Sequence, residues 1–293
     1  MSEKNERKNF KVVILTHGGA NRLLELLFAL DNIEIAGVYV ETATEPNRSL
    51  REKIKRSIRY DGYLATIKKF SAKFVGGKTD GAEELKNVRE GQKELIDFAE
   101  RLQIPFYQLE NYHSEESLNL LREANADLGI LYGTNIIKEA VFSIPRLGSI
   151  NIHQGLAPFY RGGPTVFWEL FNDEKEVGIT VHFVAAKVDT GDIIMQKTVP
   201  LEYDFSRYGL DYEKFLEDFR AELKEPSAQL IAQAVSLIAD GKERRTKQDT
   251  TIGKRYRLPT KIEKDALLHV LKERQSARKK TPSNENNYKL SQK

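Results

Sequence analysis

Ser-Ile-Asn-Ile-His at residues 149–153 opens the stretch of sequence that decides the fold, and Asp-Thr-Gly-Asp-Ile at 189–193 closes it. The apolar run at 148–152 predicts a short strand. Glycines and prolines then predict a loop, followed by a short helix over about 165–171. Apolar and polar residues alternate over 179–184, and this pattern predicts a second strand. Strands that alternate with helices in this way indicate an α/β fold.

Two polar residues of this stretch, Asn151 and His153, flank the apolar Ile152. Side chains two residues apart on a strand share one face of the sheet. A histidine can take or give a proton near neutral pH, and an amide can donate to an oxygen that becomes negative. Asp189 can hold the ring and favour its protonated form. The three suit acyl transfer to a nucleophile that the substrate supplies; a core histidine and a turn-forming asparagine are the alternative.

The whole stretch resembles the folate-dependent formyltransferase family, which includes glycinamide ribonucleotide, methionyl-tRNA and sugar-nucleotide N-formyltransferases. The motifs that carry the resemblance are Asn151-Ile-His153, Gly178-Ile-Thr180-Val-His182 and Asp189-Thr-Gly191-Asp-Ile193. The spacing from Asn151 to Asp189 also fits the family, and Arg161-Gly-Gly-Pro164 is similar to a motif of its tRNA members. Gly155-Leu-Ala-Pro158 replaces the family's Ser-Leu-Leu-Pro. The similarity is specific over about residues 127–200.

The resemblance implies an enzyme that moves the formyl group of 10-formyltetrahydrofolate to a primary amine, without a metal ion. It implies that Asn151, His153 and Asp189 carry the catalysis, and that the peptide bond before Pro158 is cis. The contacts that it implies for folate are Ile136, Ile137, Val188, Thr190 and Gly191. Those that it implies for the amine substrate are His17, Gly18, Gly19, Asn21, Arg161 and His182.

The chain begins with a predicted strand at 11–16, a helix at 21–30 and a second strand at 33–40. Such a βαβ opening predicts a buried parallel sheet. The loop at 17–21 then lies between a strand end and a helix start, a position that suits an anion. A tight turn without a ligand explains the same residues. A Gly-x-Gly-x-x-Gly motif is not satisfied, which disfavours dinucleotide binding.

Pattern and resemblance together predict a Rossmann-like, mostly parallel sheet flanked by helices, with a helical C-terminal extension and a disordered tail. The expected boundaries are a disordered N-terminus at 1–9, a catalytic domain at 10–205, a helical extension at 206–275 and a disordered tail at 276–293.

The C-terminal extension has helical spacing at 212–223, 226–239 and 261–274, whereas residues 241–259 are polar, basic and without a regular pattern. In the family, the tRNA members carry a β-rich second domain here. The sequence lacks such a pattern, so tRNA is not expected as the acceptor, although the basic run at 244–257 keeps that possibility open.

A basic amphipathic segment at 48–70 has Leu50, Ile54 and Ile58 at intervals of four residues, with arginines and lysines between them. A surface helix with a solvated charged face explains this pattern. A collar that attracts an anionic substrate to the site is the alternative.

Composition narrows the functional class. The 293 residues include 46 basic and 43 acidic side chains, for a formal net charge of +3, which argues against a general nucleic-acid or membrane binder. There is no cysteine, so cysteine nucleophiles, disulfides and cysteine-ligated metals are excluded. A Gly-x-Ser-x-Gly elbow is also absent. A cytoplasmic protein without a signal peptide or a membrane span is expected.

These observations favour an N-formyltransferase whose acceptor is an anionic small-molecule amine, most simply an amino sugar on a nucleotide. Glycinamide ribonucleotide and methionyl-tRNA are the alternative acceptors, and a homodimer is possible. Two other classes stay open at this point. One is a non-catalytic binding protein on the same fold, and the other is a metal-dependent hydrolase that uses His153, His182 and Asp189. The spacing of those three matches no known ligand motif.

Overall fold

The computed structural model describes residues 10–42, 50–63, 65–66 and 80–280. The predicted N-terminal segment 1–9, residues 48–49, 64 and 67–70 of the basic segment and residues 281–293 of the tail lie outside these residues. Within the described ranges, no helix is both long enough and apolar enough to cross a membrane.

Among the described residues, seven strands form the main sheet. They are β1 Phe10–Thr16, β2 Ile33–Glu41, β3 Phe106–Leu109, β4 Leu128–Tyr132, β5 Ser149–His153, β7 Glu176–Phe183 and β8 Ile193–Pro200, and the order across the sheet is β3-β2-β1-β4-β5-β7-β8. The pairs from β3 to β5 are parallel, whereas β7 is antiparallel to both β5 and β8. A second, two-stranded sheet joins β6 Tyr160–Gly162 to β9 Lys254–Tyr256. The predicted mostly parallel sheet is confirmed.

Helices flank the sheet on both faces. They are α1 Asn21–Phe28, α2 Leu50–Asp61, α3 Asp80–Arg101, α4 Glu115–Glu123, α5 Glu139–Phe142, α6 Phe167–Phe171, α7 Phe205–Tyr208, α8 Tyr212–Glu222, α9 Lys224–Ala239 and α10 Lys261–Lys280. The hydroxyl of Ser114 accepts from the N–H of Ser117 and caps α4, and Glu115 and Glu116 complement the helix dipole.

Two apolar clusters occupy the two faces of the sheet. Val12 and Ile150 belong to the first cluster, together with buried residues of α1 and α9. Leu15 and Leu131 belong to the second, together with buried residues of α4 and α5. Leu131 lies beside Asn151 in the β4–β5 pair. Asn151 therefore lies on the same face of the sheet as the second cluster. The helices α4 and α5 cover β1 to β4 on this face, and Asn151 lies on the next strand, β5.

The helix α9 shows how the C-terminal extension is held. It packs against α1, β7 and β8, and its buried positions include Leu230, Ile231, Val235 and Ile238. Full burial of each such side chain contributes about 1.5–3 kcal/mol. The extension is therefore part of the same core as the sheet, as the apolar stripe of this helix predicts.

One helix begins later than its sequence predicts. The expected start of α6 is near Thr165, but the helix begins at Phe167. Val166, which is fully buried, has a φ of +73° and cannot extend the helix backwards. A β-branched residue in this region costs on the order of 1–3 kcal/mol, so the surrounding packing has to hold it there. The cis peptide implied before Pro158 is present, and Gly163–Pro164 is cis as well.

The C-terminal extension departs from the sequence prediction at two places. The helix α10 runs past Arg274 to Lys280, because the added residues include good helix formers. Residues 276–280, which were expected in the disordered tail, are thus helical. The irregular structure expected for 241–259 is wrong at 254–256, where β9 pairs with β6.

Candidate active site

Two neighbouring strands present the site on one face. Asn151 on β5 lies directly opposite His182 on β7, and His153 lies opposite Thr180. Residues opposite each other in an antiparallel pair share a face, and so do residues two apart on one strand. All four side chains therefore belong to the same face of the sheet. Asn151 and His153 lie on one face of the sheet, as their spacing of two residues predicts.

Asp189 joins the two histidines of this face. Its Oδ2 lies 3.6 Å from Nδ1 of His153, and its Oδ1 lies 3.5 Å from Nε2 of His182. The main-chain N–H of Gly162 donates to Oδ2 at 2.8 Å. Burial acts to raise the pKa of Asp189, but the two histidines and this N–H outweigh it and lower the pKa to about 2. Asp189 is consequently a carboxylate at any physiological pH.

Its backbone conformation puts Asp189 there. Its φ is +52°, in the left-handed region that Asp tolerates better than most residues. Two residues later, Gly191 approaches the main-chain oxygen of Phe183 so closely that a Cβ would overlap it. The turn Asp189-Thr-Gly191 therefore needs a glycine at its end and a short polar residue at its start.

His153 is buried, with 8% of its surface exposed. Its Nε2–H donates to the main-chain oxygen of Tyr160 at 2.7 Å, so the lone pair of Nδ1 faces the carboxylate of Asp189. Burial lowers the pKa of His153 even though Asp189 acts to raise it. Asp189 does favour the charged ring, as expected, but burial has the larger effect on the pKa of His153. A neutral ring that gains an ion pair on protonation is suited to act as a base.

Asn151 is oriented by the other histidine. Nδ1–H of His182 donates to the main-chain oxygen of Phe183 at 2.7 Å. This leaves Nε2 as an acceptor for the amide of Asn151 at 3.3 Å. One amide hydrogen of Asn151 is then engaged and the other is available to an external oxygen. His182 thus contacts both Asn151 and Asp189, and its expected contact with substrate stays a prediction.

The expected folate contacts come from two loops. Ile137 is 8% exposed and Ile136 is 70% exposed, so only Ile136 offers an open apolar surface. The hydroxyl of Thr190 donates to the main-chain oxygen of Lys187 at 2.9 Å and thereby stabilises its own turn. Val188 is half-buried in the same turn. Their role in folate binding stays a prediction.

The expected substrate contacts around α1 are partly engaged within the protein. Nδ1–H of His17 donates to the main-chain oxygen of Glu41 at 3.1 Å, and Nε2 accepts the N–H of Asn135 at 3.2 Å. His17 therefore links the β1 loop to the loop that holds Ile136. Gly18 and Gly19 have φ values of +134° and +69°. Within the described residues, Oδ1 of Asn21 is buried and has no hydrogen-bond partner.

Arg161, another expected substrate contact, makes hydrogen bonds within the protein. It is 8% exposed, and its guanidinium donates to the main-chain oxygens of Pro158 and Thr250, each at 3.2 Å. These bonds give Arg161 a structural function that links the substrate loop to the C-terminal extension. Its direct contact with substrate stays a prediction.

Residues 246–257, here named the closing segment, hold both loops of the site. Thr246 exchanges two main-chain hydrogen bonds of 2.8 Å with Ile193, and Gln248 donates to the main-chain oxygen of Gly191 at 2.6 Å. The indole N–H of Trp168 donates to the main-chain oxygen of Arg257 at 2.8 Å. Sequence reasoning missed this segment, since three residues of strand in a polar run give no periodic signal.

Thr180 is a further residue that the sequence analysis left without a role. Its hydroxyl donates to the main-chain oxygen of Gly155 at 2.7 Å and accepts from the N–H of Ala157. Gln196 donates both to Thr180 and to the main-chain oxygen of Ala157. Thr180 therefore fixes the loop that follows His153. The alternation of β7 was the available signal, because Thr180 and His182 are two residues apart.

Within the described part of the chain, no group of three or more His, Asp or Glu side chains is arranged to hold a metal ion. Fold and site together define an α/β protein with an Asn–His–Asp set on a sheet face and a second histidine that braces it. The sequence profile described as formyl transferase matches residues 11–211. The chain therefore belongs to the formyl transferase family.

One curated relative and two solved structures are compared with this chain. The methionyl-tRNA formyltransferase of Bacteroides fragilis is 33% identical over 147 residues, which make up 50% of this chain and 43% of that protein. The match thus spans less than half of that relative. Glycinamide ribonucleotide transformylase 1 of Symbiobacterium toebii superposes with a TM-score of 0.51 at 19% identity, over 83% of this chain and 95% of its own.

A third comparison is with phosphoribosylglycinamide formyltransferase of Anaplasma phagocytophilum. It superposes with a TM-score of 0.51 at 21% identity, over 80% of this chain and 89% of its own. At these identities the two structural likenesses concern the fold alone.

Proposed function

We propose that this protein transfers the formyl group of 10-formyltetrahydrofolate to a primary amine. The observation that carries the proposal is the position of Asp189. Its two carboxylate oxygens lie within 3.6 Å of His153 and His182, and His182 in turn holds Asn151. A binding protein has no need of a charged carboxylate shared by two buried imidazoles beside an oriented amide, because burying such a group is costly.

Each residue of the set has a distinct part in this reaction. The amine nitrogen attacks the formyl carbon, and a negative oxygen develops. Asn151 donates its available amide hydrogen to that oxygen. His153 takes the proton of the attacking nitrogen at Nδ1 and returns it to the leaving nitrogen of the folate. Asp189 then pairs with the protonated ring, and because its own pKa is about 2 it does not compete for the proton.

The residues present fit a flat folate ring at the loops of β4 and β7. The exposed Ile136 offers an apolar surface, and the turn from Val188 to Gly191 offers main-chain groups beside Asp189. Flat apolar ligands bind in slots of this kind, with a few main-chain groups that fix their orientation. We place the formyl donor there.

An amino sugar on a nucleotide is the preferred acceptor. In support, residues 206–280 are mostly helical outside the closing segment, which differs from the β-rich second domain associated with the tRNA members. Charged methionyl-tRNA is the second candidate, since the curated relative matched here is a methionyl-tRNA formyltransferase. The sequence-based expectation against tRNA gains no support from that relative. The cytoplasmic location and the homodimer stay predictions.

The test is formyl transfer by the purified protein from 10-formyltetrahydrofolate to three acceptors: nucleotide-linked amino sugars, glycinamide ribonucleotide and charged methionyl-tRNA. A mass gain of one formyl group identifies the acceptor. Calorimetry with a reduced folate measures donor binding separately. Transfer to none of the three acceptors, together with no folate binding, would overturn the proposal, whereas transfer only to tRNA would replace the preferred acceptor by the second.

A further inference from the structure

Glu169 on α6 is a buried carboxyl group beside the site. Only 3% of its surface is exposed. Glu169 and His153 both line a narrow cavity. This cavity has room for about one water molecule. Glu169 also lines a larger cleft of about 440 Å³ together with Phe159 and Glu176, both of which are exposed to solvent. Glu169 therefore lies between the buried imidazole and the surface.

Other charged and titratable groups surround Glu169. They are His153 on β5, Tyr160 and Arg161 on β6, Tyr256 on β9, Arg220 on α8, and the surface residues Asp173, Glu174, Lys175 and Glu176. Arg220 does not neutralise the carboxyl group by a direct ion pair, because its Nε and Nη2 donate to the main-chain oxygen of Thr165 at 3.0 and 2.8 Å. The exposed carboxylates lie on the solvent side of Glu169.

A structural role also exists for this residue. The carboxylate makes main-chain hydrogen bonds with Val166 and with Glu169 itself. Glu169 is the third residue of α6, where a glutamate can satisfy free N–H groups of the helix start. A glutamine would serve there equally well. The cap therefore does not explain why a carboxylic acid, rather than an amide, is buried at this position.

We propose that Glu169 relays the Nε2 proton of His153 to the solvent, through one water molecule in the narrow cavity that Tyr160 also lines, while Nδ1 takes up a proton from the substrate during the formyl transfer proposed above. This inference rests on the proposed function for its chemical purpose, but the relay itself is a property of the site. Glu169 acts through His153 and is a proton-relay residue rather than a residue in contact with substrate.

The proton balance of the reaction requires such a route. A primary amine reaches the site as an ammonium ion, and it has to lose one proton before its nitrogen can attack. The new bond joins that nitrogen to the formyl carbon, and the bond between the formyl carbon and the folate nitrogen breaks. A second proton passes from the attacking nitrogen to the folate nitrogen. One proton per turnover is therefore left over and has to leave a buried site.

The two groups are poised for transfer in that direction. Burial lowers the pKa of His153, whereas burial raises the pKa of Glu169 to about 7. A proton on the ring of His153 therefore moves downhill to the carboxylate of Glu169. An acid whose pKa lies near the working pH can both accept that proton and release it to water.

Hydrogen exchange of the His153 ring tests the relay without any acceptor. Protein labelled with ¹⁵N-histidine reports the exchange of the Nε2 proton with water by NMR. In Glu169→Gln, which keeps the helix cap, we expect this exchange above pH 7 to be at least about tenfold slower than in the unmodified protein. The matched control is Glu176→Gln, an exposed carboxylate of the same cleft, which should exchange like the unmodified protein. A loosened structure would speed exchange, so equal or faster exchange in Glu169→Gln would overturn the relay.

The rate of formyl transfer is the second arm. With an identified amine, Glu169→Gln should lower kcat by at least about tenfold and remove the ionisation near pH 7 from the rate profile. A profile equal to that of the unmodified protein would overturn the part of Glu169 in turnover. If the unmodified protein formylates no amine while Glu169→Gln still slows ring exchange, the proposed function is wrong and the relay stands.

Discussion

The side-chain amide of Gln248 donates a hydrogen bond of 2.6 Å to the main-chain oxygen of Gly191, across 57 residues of sequence. Gly191 ends the turn that positions Asp189, so a residue far beyond the matched family region supports the carboxylate of the site. In the described residues, Oε1 of Gln248 is buried and has no partner, so this buried amide acts through its donor alone.

Replacing Gln248 by methionine keeps the volume and removes the donor. The main-chain oxygen of Gly191 is then left buried without a partner, and we expect a loss of about 1–3 kcal/mol in the free energy of unfolding. Because the turn of Asp189 loosens, kcat for formyl transfer should fall as well. Urea unfolding and initial rates measure the two effects. The exposed neighbour Lys247→Gln is the control, and equal stability of both variants would contradict the prediction.

Asn151→Ala removes the amide that donates to the developing negative oxygen. We expect kcat to fall by about 10²–10³-fold, since a lost donor of this kind costs roughly 2.7–4 kcal/mol. His153→Ala should cost about 10²–10⁴-fold. The double variant should lose less than the product of the two, because the residues act as one unit. If His153→Ala kept nearly full kcat in a single-turnover assay, the ring would be structural and the mechanism wrong.

Asp189→Asn should change the acid stability of the protein. The pKa of Asp189 is about 2 in the folded state and near 3.8 when unfolded. A lowered pKa contributes stability that is present above pH 4 and is lost as the pH falls towards 2. The contribution amounts to about 2 kcal/mol. Unfolding of both proteins at pH 2.5 and pH 6 should show a larger acid loss for the unmodified protein, and equal losses would contradict the stated cause.

Glu169→Gln should have the opposite pH signature. The pKa of Glu169 is near 4.5 when unfolded and about 7 when folded. The folded state thus binds more protons between these values, so stability falls by about 3 kcal/mol as the pH rises from about 4.5 to 7, and the loss is complete above pH 7. Relative to the unmodified protein, Glu169→Gln should gain stability between pH 5 and pH 8. A stability difference that does not change with pH would contradict the raised pKa.

The sequence alone predicts the sheet and one pair of the site. Continuous apolar runs separated by helical patterns indicate the parallel core, and the period of two places Asn151 and His153 on one face. The position of Asp189 follows only from the resemblance to a family, because a turn that folds back over a sheet leaves no periodic trace.

The features that the sequence did not predict depend on long-range contacts. Arg161 stands in a motif that suggests an open substrate loop, but its guanidinium reaches Thr250, 89 residues later. Glu169 stands in an ordinary helical pattern, and only the packing of α6 reveals that its carboxyl group is buried. Neither contact can be read from local propensity, since each depends on how distant segments meet.

Because β6 pairs with β9, the site depends on a segment that is translated well after the catalytic residues. All residues of the Asn–His–Asp set have been translated once the chain reaches Asp189, and the main sheet can pair once β8 has followed. The closing segment is made later than β8, and at 5–20 residues per second its roughly 60 additional residues take on the order of several seconds. A ribosome-bound chain therefore passes through an interval in which the strands of the sheet have been made while the two loops of the site lack their support, so that activity has to arise after the closing segment has been translated.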